Sequence, residues 1–158
     1  MAIQPQMVAE LPLFAGLDER QRDILCQVLV ERRFKPADVI VRAGDKGWTC
    51  YVILIGEVHV VAERGDGTTE PGVLATLEVG EMFGEVSLID GGARSATCVA
   101  GPGGVLLAEL ARPEFDRIFN AGNTFAYQLM DIIAGQLAHR VHQAAEVLRE
   151  AAFDAETA

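Results

Sequence analysis

Glu85 and Arg94 stand nine positions apart in a stretch, residues 83–96, that reads FGEVSLIDGGARSA. Gly84 precedes the acid, and Gly91-Gly92 turns the chain before the base. Two small hydroxyl residues, Ser87 and Ser95, lie where backbone must come close to something. Glu85 sits at what reads as a helix start. The first N–H groups of a helix have no partner inside it, which suits an anion. An arginine alongside adds a planar fork that pairs two phosphate oxygens at once. A carboxylate in the same loop would repel a bare phosphate. Its presence implies a ligand that also offers a hydroxyl, as a ribose does. Taken singly, Glu85 is an ordinary first-turn acid and Arg94 an ordinary surface base. Taken together, they are the recognition chemistry of a nucleotide held without a P-loop.

The elements that must position this stretch lie on both sides of it. Residues 1–10 read as a loose lead-in, and 12–17 as a short helix or turn packed on the body. Asp18 and Gln21 form a capping-box variant ahead of an amphipathic run, Ile24, Leu25, Val28 and Leu29, which predicts a helix over 18–30. The period then shortens. Strands are predicted around Phe34 and Val39, Ile40 and Val41, with breaks at Pro36 and Asp38, and again at 51–55, 58–63, 73–77, 97–100 and 105–110. Gly56 separates 51–55 from 58–63. Residues 64–72 read as an exposed hairpin loop, and Gly101-Pro102-Gly103-Gly104 as a turn. So many short strands predict a mainly β fold with flanking α: a double-stranded β-helix, or jelly-roll-like β-roll, over about 31–110. An N-terminal helix precedes it. After Leu110 the pattern turns helical, with a short helix over 112–120, Pro113 in its first turn, and a break at Gly122. A long helix follows from 124 to about 153, so the C-terminal helices span about 112–153. Leu129, Ile133, Leu137, Val141, Ala144, Leu148 and Ala151 keep one of its faces apolar.

With 158 residues, the chain is the size of a single domain, 1–158, able to bury roughly 70% of its unfolded surface. Its net charge of −10 repels nucleic acid and acidic membrane surfaces, so neither is an expected partner. Any phosphate site must then be local, as Arg94 would make it. The three cysteines, Cys26, Cys50 and Cys98, have no C-x-x-C spacing and read as reduced buried thiols. The N-terminus has neither a basic region nor an apolar run, and no stretch is apolar for long enough to span a bilayer, so a cytoplasmic protein is expected. His139 and His142 lack a third ligand and His59 reads as surface, so no metal is expected. No Ser-His-Asp or Cys-His set can be assembled, so no enzyme activity is expected.

Gly80-Glu81-Met82-Phe83-Gly84-Glu85, then Ser87-Leu88, then Arg94-Ser95-Ala96, resembles the phosphate-binding cassette of the cyclic-nucleotide-binding domain family. That family includes catabolite activator proteins, kinase regulatory subunits and cyclic-nucleotide-gated channels. The likeness covers most of the chain, from Leu13-Phe14-Ala15-Gly16-Leu17, through Gly44-Asp45, Tyr51-Val52-Ile53 and Gly56-Glu57-Val58, to Leu110-Ala111-Arg112 with Phe115. The resemblance implies roles. Arg94 would pair the exocyclic phosphate oxygens, and the backbone N–H groups of Ser87 and Ser95 would donate to the same phosphate. The Glu85 carboxylate and Gly84 carbonyl would take the ribose 2′-hydroxyl. Phe83, Val86 and Ala96 belong to the same ligand-binding set. Val61 and Ala75 align loosely with positions that touch the purine, although strand alternation alone makes both core. The implied ligand is cAMP. cGMP stays open, because Ser95 stands where a hydroxyl contacts guanine in some members, and adenine-preferring members also carry serine.

The resemblance further implies that the first turns of the long helix close over the base. The later stripe exceeds what the barrel can cover and predicts a homodimer through parallel helices. Few residues follow that helix, whereas a helix-turn-helix domain needs several tens more and is usually basic. DNA binding is therefore not carried over from the transcription-factor members. The expectation is a cAMP sensor that signals to an effector protein not identified by the sequence, or through dimer geometry. One rival is an interaction scaffold of the same fold that binds no nucleotide, against which the intact Glu85 and Arg94 speak. Another is a jelly-roll metal enzyme, which would need paired strand histidines.

Overall fold

The computed structural model describes residues 3–63, 69–121 and 124–157. Helix α1 (Pro5–Ala9) and a 3-10 turn (Pro12–Phe14) lead into helix α2 (Glu19–Val28). The lead-in is not loose: Ile3 and Val8 are buried, so apolar contact orders it where local propensity would not. The expected capping box is present. The Asp18 Oδ1 accepts from the Gln21 N–H at 2.8 Å, and Gln21 Oε1 accepts from the Asp18 N–H at 2.9 Å. Helix α2 stops two residues before its predicted end. Val30 instead opens strand β1 (Val30–Phe34), where it faces Glu109 across the ladder.

Strands β2 (Val39–Val41), β3 (Thr49–Glu63), β4 (Thr69–Leu77), β5 (Met82–Phe83) and β6 (Thr97–Ala111) complete one antiparallel sheet, ordered β1-β6-β3-β4, with β2 also on β6 and β5 also on β3. Two expected breaks are bends within continuous strands. The ladder jumps from Gly56 opposite Val105 to Val58 opposite Ala100, so residues 101–104 bulge out opposite Glu57. Gly56 has φ +89, and a Cβ there would sit 2.3 Å from the Gly104 carbonyl oxygen. The glycines and Pro102 therefore let two long strands coil together without ending either. Residues 69–72 belong to β4, so the expected hairpin loop is shorter than 64–72, and its residues 64–68 lie outside the described ones.

Period-2 alternation sorts the coiled sheet into two cores. Cys50, Val52 and Leu54 on β3, with Leu106, Ala108 and Leu110 on β6, face the helices, meeting Leu25, Phe115, Phe125 and Leu129. Tyr51 and Ile53, with Val105 and Leu107, face the interior of the roll beside Phe83 and Cys98. Each fully buried Val, Leu, Ile or Phe side chain among them contributes roughly 1.5–3 kcal/mol by leaving water.

Helix α3 (Glu85–Asp90) follows β5, and α4 (Arg112–Asn120) and α5 (Thr124–Thr157) follow β6. The predicted break at Gly122 lies outside the described residues. Helix α5 runs past its expected end. Its stripe splits in two: Leu129 and Ile133 are buried and Leu137 packs partly on the core, but every residue from Val141 to Thr157 is exposed. No helix among the described residues is long and apolar enough to cross a membrane.

Candidate functional site

The turn from β5 into α3 depends on Gly84, which has φ +80 and stands at the N-cap. A Cβ on Gly84 would lie 2.7 Å from Arg94 Nη1 and 3.0 Å from the Thr49 carbonyl oxygen. Only glycine leaves room for the arginine there. Gly47 serves the same end from the other side, because a Cβ there would fall 2.3 Å from Arg94 Nε. The backbone of Arg94 is clamped as well: its N–H donates to the Asp45 carbonyl at 2.8 Å and its carbonyl accepts from Gly44 at 2.9 Å.

Arg94 is 8% exposed. Its Nη1 donates to the carbonyls of Thr49 (2.7 Å) and Gly84 (3.2 Å), and its Nη2 donates to Thr49 Oγ1 at 2.7 Å. All three acceptors are neutral. Among the described residues no carboxylate pairs with this buried cation. Such a charge is costly to keep out of water unless an anion meets it.

Glu85 is more deeply buried, at 1%. Arg140 reaches it from α5, with Nε 3.0 Å from Glu85 Oε1, and Nη2 also donates to the Met82 carbonyl. The ion pair is close but misaligned. Neither carboxylate oxygen accepts a well-formed hydrogen bond among the described residues. Glu85 thus keeps acceptor capacity for a donor.

Phe83, Gly84, Glu85, Val86, Ser87, Arg94, Ser95 and Ala96 line one cavity, so the structure gathers eight of the ten predicted ligand-binding residues. Val61 and Ala75 are placed elsewhere. A register shift between Val60 and Val61 turns Val60 to the cavity, while Val61 is buried beside it and Ala75 is exposed. Val41, Val60, Leu77 and Cys98 complete the apolar wall. Arg140 and Thr49 were not legible as site residues. Neither belongs to a local motif, and a long helix gives no sign of which turn will meet the sheet.

Two thiols register the site's surroundings. Burial, and then the nearby Glu85 charge, push Cys50 up from an ordinary 9.0 to about 12, with Arg94 pulling the other way. Burial pushes Cys98 up to about 11. Cys26, expected to be buried like the others, is half-buried. His139 and His142 are exposed on α5, and His59 is half-buried against Glu57 at 2.7 Å instead of lying on the surface. No three His, Cys, Asp or Glu side chains gather for a metal among the described residues.

The family model described as "Cyclic nucleotide-binding domain" matches residues 31–121, more than half of the chain. The chain belongs to the cyclic nucleotide-binding domain family. Members of this family are regulatory domains. The chain is 33% identical over 112 residues to a cAMP-dependent protein kinase regulatory subunit of Schizosaccharomyces pombe, covering 71% of this chain and 26% of that one. It is 32% identical over 126 residues to the cyclic AMP receptor protein of Thermus thermophilus, covering 80% of this chain and 57% of that one. It therefore spans only about a quarter to a little over half of these relatives. A solved cyclic nucleotide-binding domain from Methylobacillus flagellatus superposes with a TM-score of 0.77 at 23% identity, covering 92% of this chain and 80% of that one. At that identity the likeness speaks for the β-roll fold alone.

Proposed function

We propose that this cyclic nucleotide-binding domain takes cAMP in the cavity between α3 and β6. One observation carries the reading. A buried guanidinium without a carboxylate partner and a buried carboxylate with spare acceptor capacity line the same cavity. A cyclic phosphate answers the first and a ribose 2′-hydroxyl the second. Arg94 pairs the phosphate, the backbone N–H groups of Ser87 and Ser95 add donors, and Glu85 with the Gly84 carbonyl accepts the hydroxyl. Phe83, Val86 and Ala96 shape the pocket, and Val60 and Leu77, which line it where Val61 and Ala75 do not, offer the purine an apolar wall. Both cAMP-named and cGMP-named proteins are similar to this chain, so cAMP is proposed ahead of cGMP and tested against it.

Residues 1–158 act as one module. The nucleotide biases α5 between two seatings by preferring one of them. The signal leaves through a second copy or an effector protein. In support of the homodimer, Val141, Val147, Leu148 and Phe153 are each more than 60% exposed on the free end of α5.

Titration with cAMP, cGMP and 2′-deoxy-cAMP tests the assignment. The expected order is cAMP tightest, with the deoxy analogue weaker by roughly ten- to a hundredfold, the value of one charge-assisted hydrogen bond. No binding of any of the three by folded protein freed of co-purified ligand would overturn the assignment in favour of an interaction scaffold of the same fold.

A further inference from the structure

We propose that Thr49 is a positioning residue for the anion site: its hydroxyl fixes the plane of the Arg94 guanidinium and so selects which edge meets the phosphate. This rests on the nucleotide-binding reading above. One residue takes both outer nitrogens of the fork. The Thr49 carbonyl accepts from Nη1 and the Thr49 Oγ1 from Nη2, each at 2.7 Å. The Gly84 carbonyl also accepts from Nη1, at 3.2 Å. A guanidinium carries all its donors in one rigid plane. Among the described residues, these bonds leave one edge over, formed by Nε and the second hydrogen of Nη2. Such an edge holds two phosphate oxygens side by side. Gly47 keeps it clear, because a Cβ there would fall 2.3 Å from Nε and 2.4 Å from Nη2.

Thr49 is itself held in place. It opens β3, where it faces Ala111 across the ladder. On one side of it the Trp48 carbonyl accepts from the Arg112 N–H at 2.8 Å, and on the other Cys50 is buried in the core. Its β-branched side chain has few χ1 choices. The hydroxyl accepts from Arg94 and donates to the Tyr51 hydroxyl at 3.2 Å, so its own direction is set from both ends. The Tyr51 ring stacks on Phe83, with centroids 5.1 Å apart, one residue ahead of Gly84. Thr49 thus ties Arg94 to a strand that is locked to the cassette. It does not line the cassette cavity, so its effect on a ligand passes through Arg94. Without the hydroxyl, Nη1 stays tethered, but the plane swivels about it and the free edge loses its aim.

Calorimetric titration with cAMP tests this in the full chain, as wild type, Thr49→Val, Thr49→Ser, Arg94→Ala and the Thr49→Val, Arg94→Ala double variant. Melting curves show that each is folded. Thr49→Val keeps the shape of the side chain and loses the hydroxyl. It is expected to bind roughly three- to thirtyfold more weakly, because the edge is then ordered on binding and not before it. Thr49→Ser restores the hydroxyl and is expected within about threefold of wild type. In the Arg94→Ala background, Thr49→Val is expected to change affinity by less than about twofold, since no guanidinium is left to aim. If wild type binds and Thr49→Val binds equally or more tightly, the positioning role is overturned and the nucleotide site stands. The role is also overturned if Thr49→Val weakens binding as much without the guanidinium as with it. If wild type binds no cAMP, the nucleotide reading falls and the role of Thr49 falls with it. Should Thr49→Val not fold, Thr49→Ala decides.

Discussion

Taking a guanidinium out of water costs several kcal/mol unless a counter-charge meets it. Arg94 is held in that condition by the backbone clamps at Gly44 and Asp45 and by the space left at Gly47 and Gly84. The residues carrying this chemistry, Glu85 and Arg94, were legible because a glycine, an acid and a base keep fixed spacing within one loop. Thr49 and Arg140 were not, because tertiary folding alone brings them there. The buried thiols give this scale a separate test. A thiol held above its ordinary value binds its proton more tightly in the folded state. Its contribution is fully present below about pH 9 and declines as pH rises toward 12 for Cys50. Unfolding free energy measured by urea between pH 8 and 11 should fall with pH, and fall less steeply in Cys50→Ala. Parallel slopes would refute the assignment.

At the scale of elements, hydrophobic period and capping chemistry showed α2, α4, α5 and most strand positions. The bends misled. Glycine and proline end a strand when nothing pairs with it, but here the partner strand keeps hydrogen-bonding on both sides of the bulge. Gly56 is the residue that permits this, since β-carbon-bearing residues are strained at its φ of +89 and a Cβ would meet the Gly104 carbonyl. Gly56→Ala is expected to lose at least about 1–3 kcal/mol of stability in urea unfolding, the cost of such backbone strain before any clash. A loss below about 0.5 kcal/mol would show that the two strands need no bend at this point. The α1 segment misled in the opposite direction, because two buried residues, Ile3 and Val8, outweigh a sequence with little helix signal of its own.

For the whole molecule, the roll accounts for the first half of α5 and leaves the second half uncovered. The apolar stripe in the sequence could not show where cover ends, because apolar residues continue at helical steps of three or four beyond Arg140. An exposed apolar helix end of this length is expected to pair with a second copy. Light scattering should then report about twice the 17.0 kDa chain mass, shifting toward the monomer on dilution or in Leu148→Glu. A monomer mass at every concentration would point to an effector protein instead. On the proposed reading the same body holds a phosphate against a net charge of −10, with Arg94 alone supplying a cation unpaired by any carboxylate among the residues lining the cavity. The most direct measurement is therefore calorimetric titration of cAMP into wild type and Arg94→Ala, each folded and stripped of ligand. A loss of roughly tenfold to a few hundredfold in affinity, with the fold intact, is the expected result. Equal affinity in the two proteins would contradict the assignment of the anion site to Arg94.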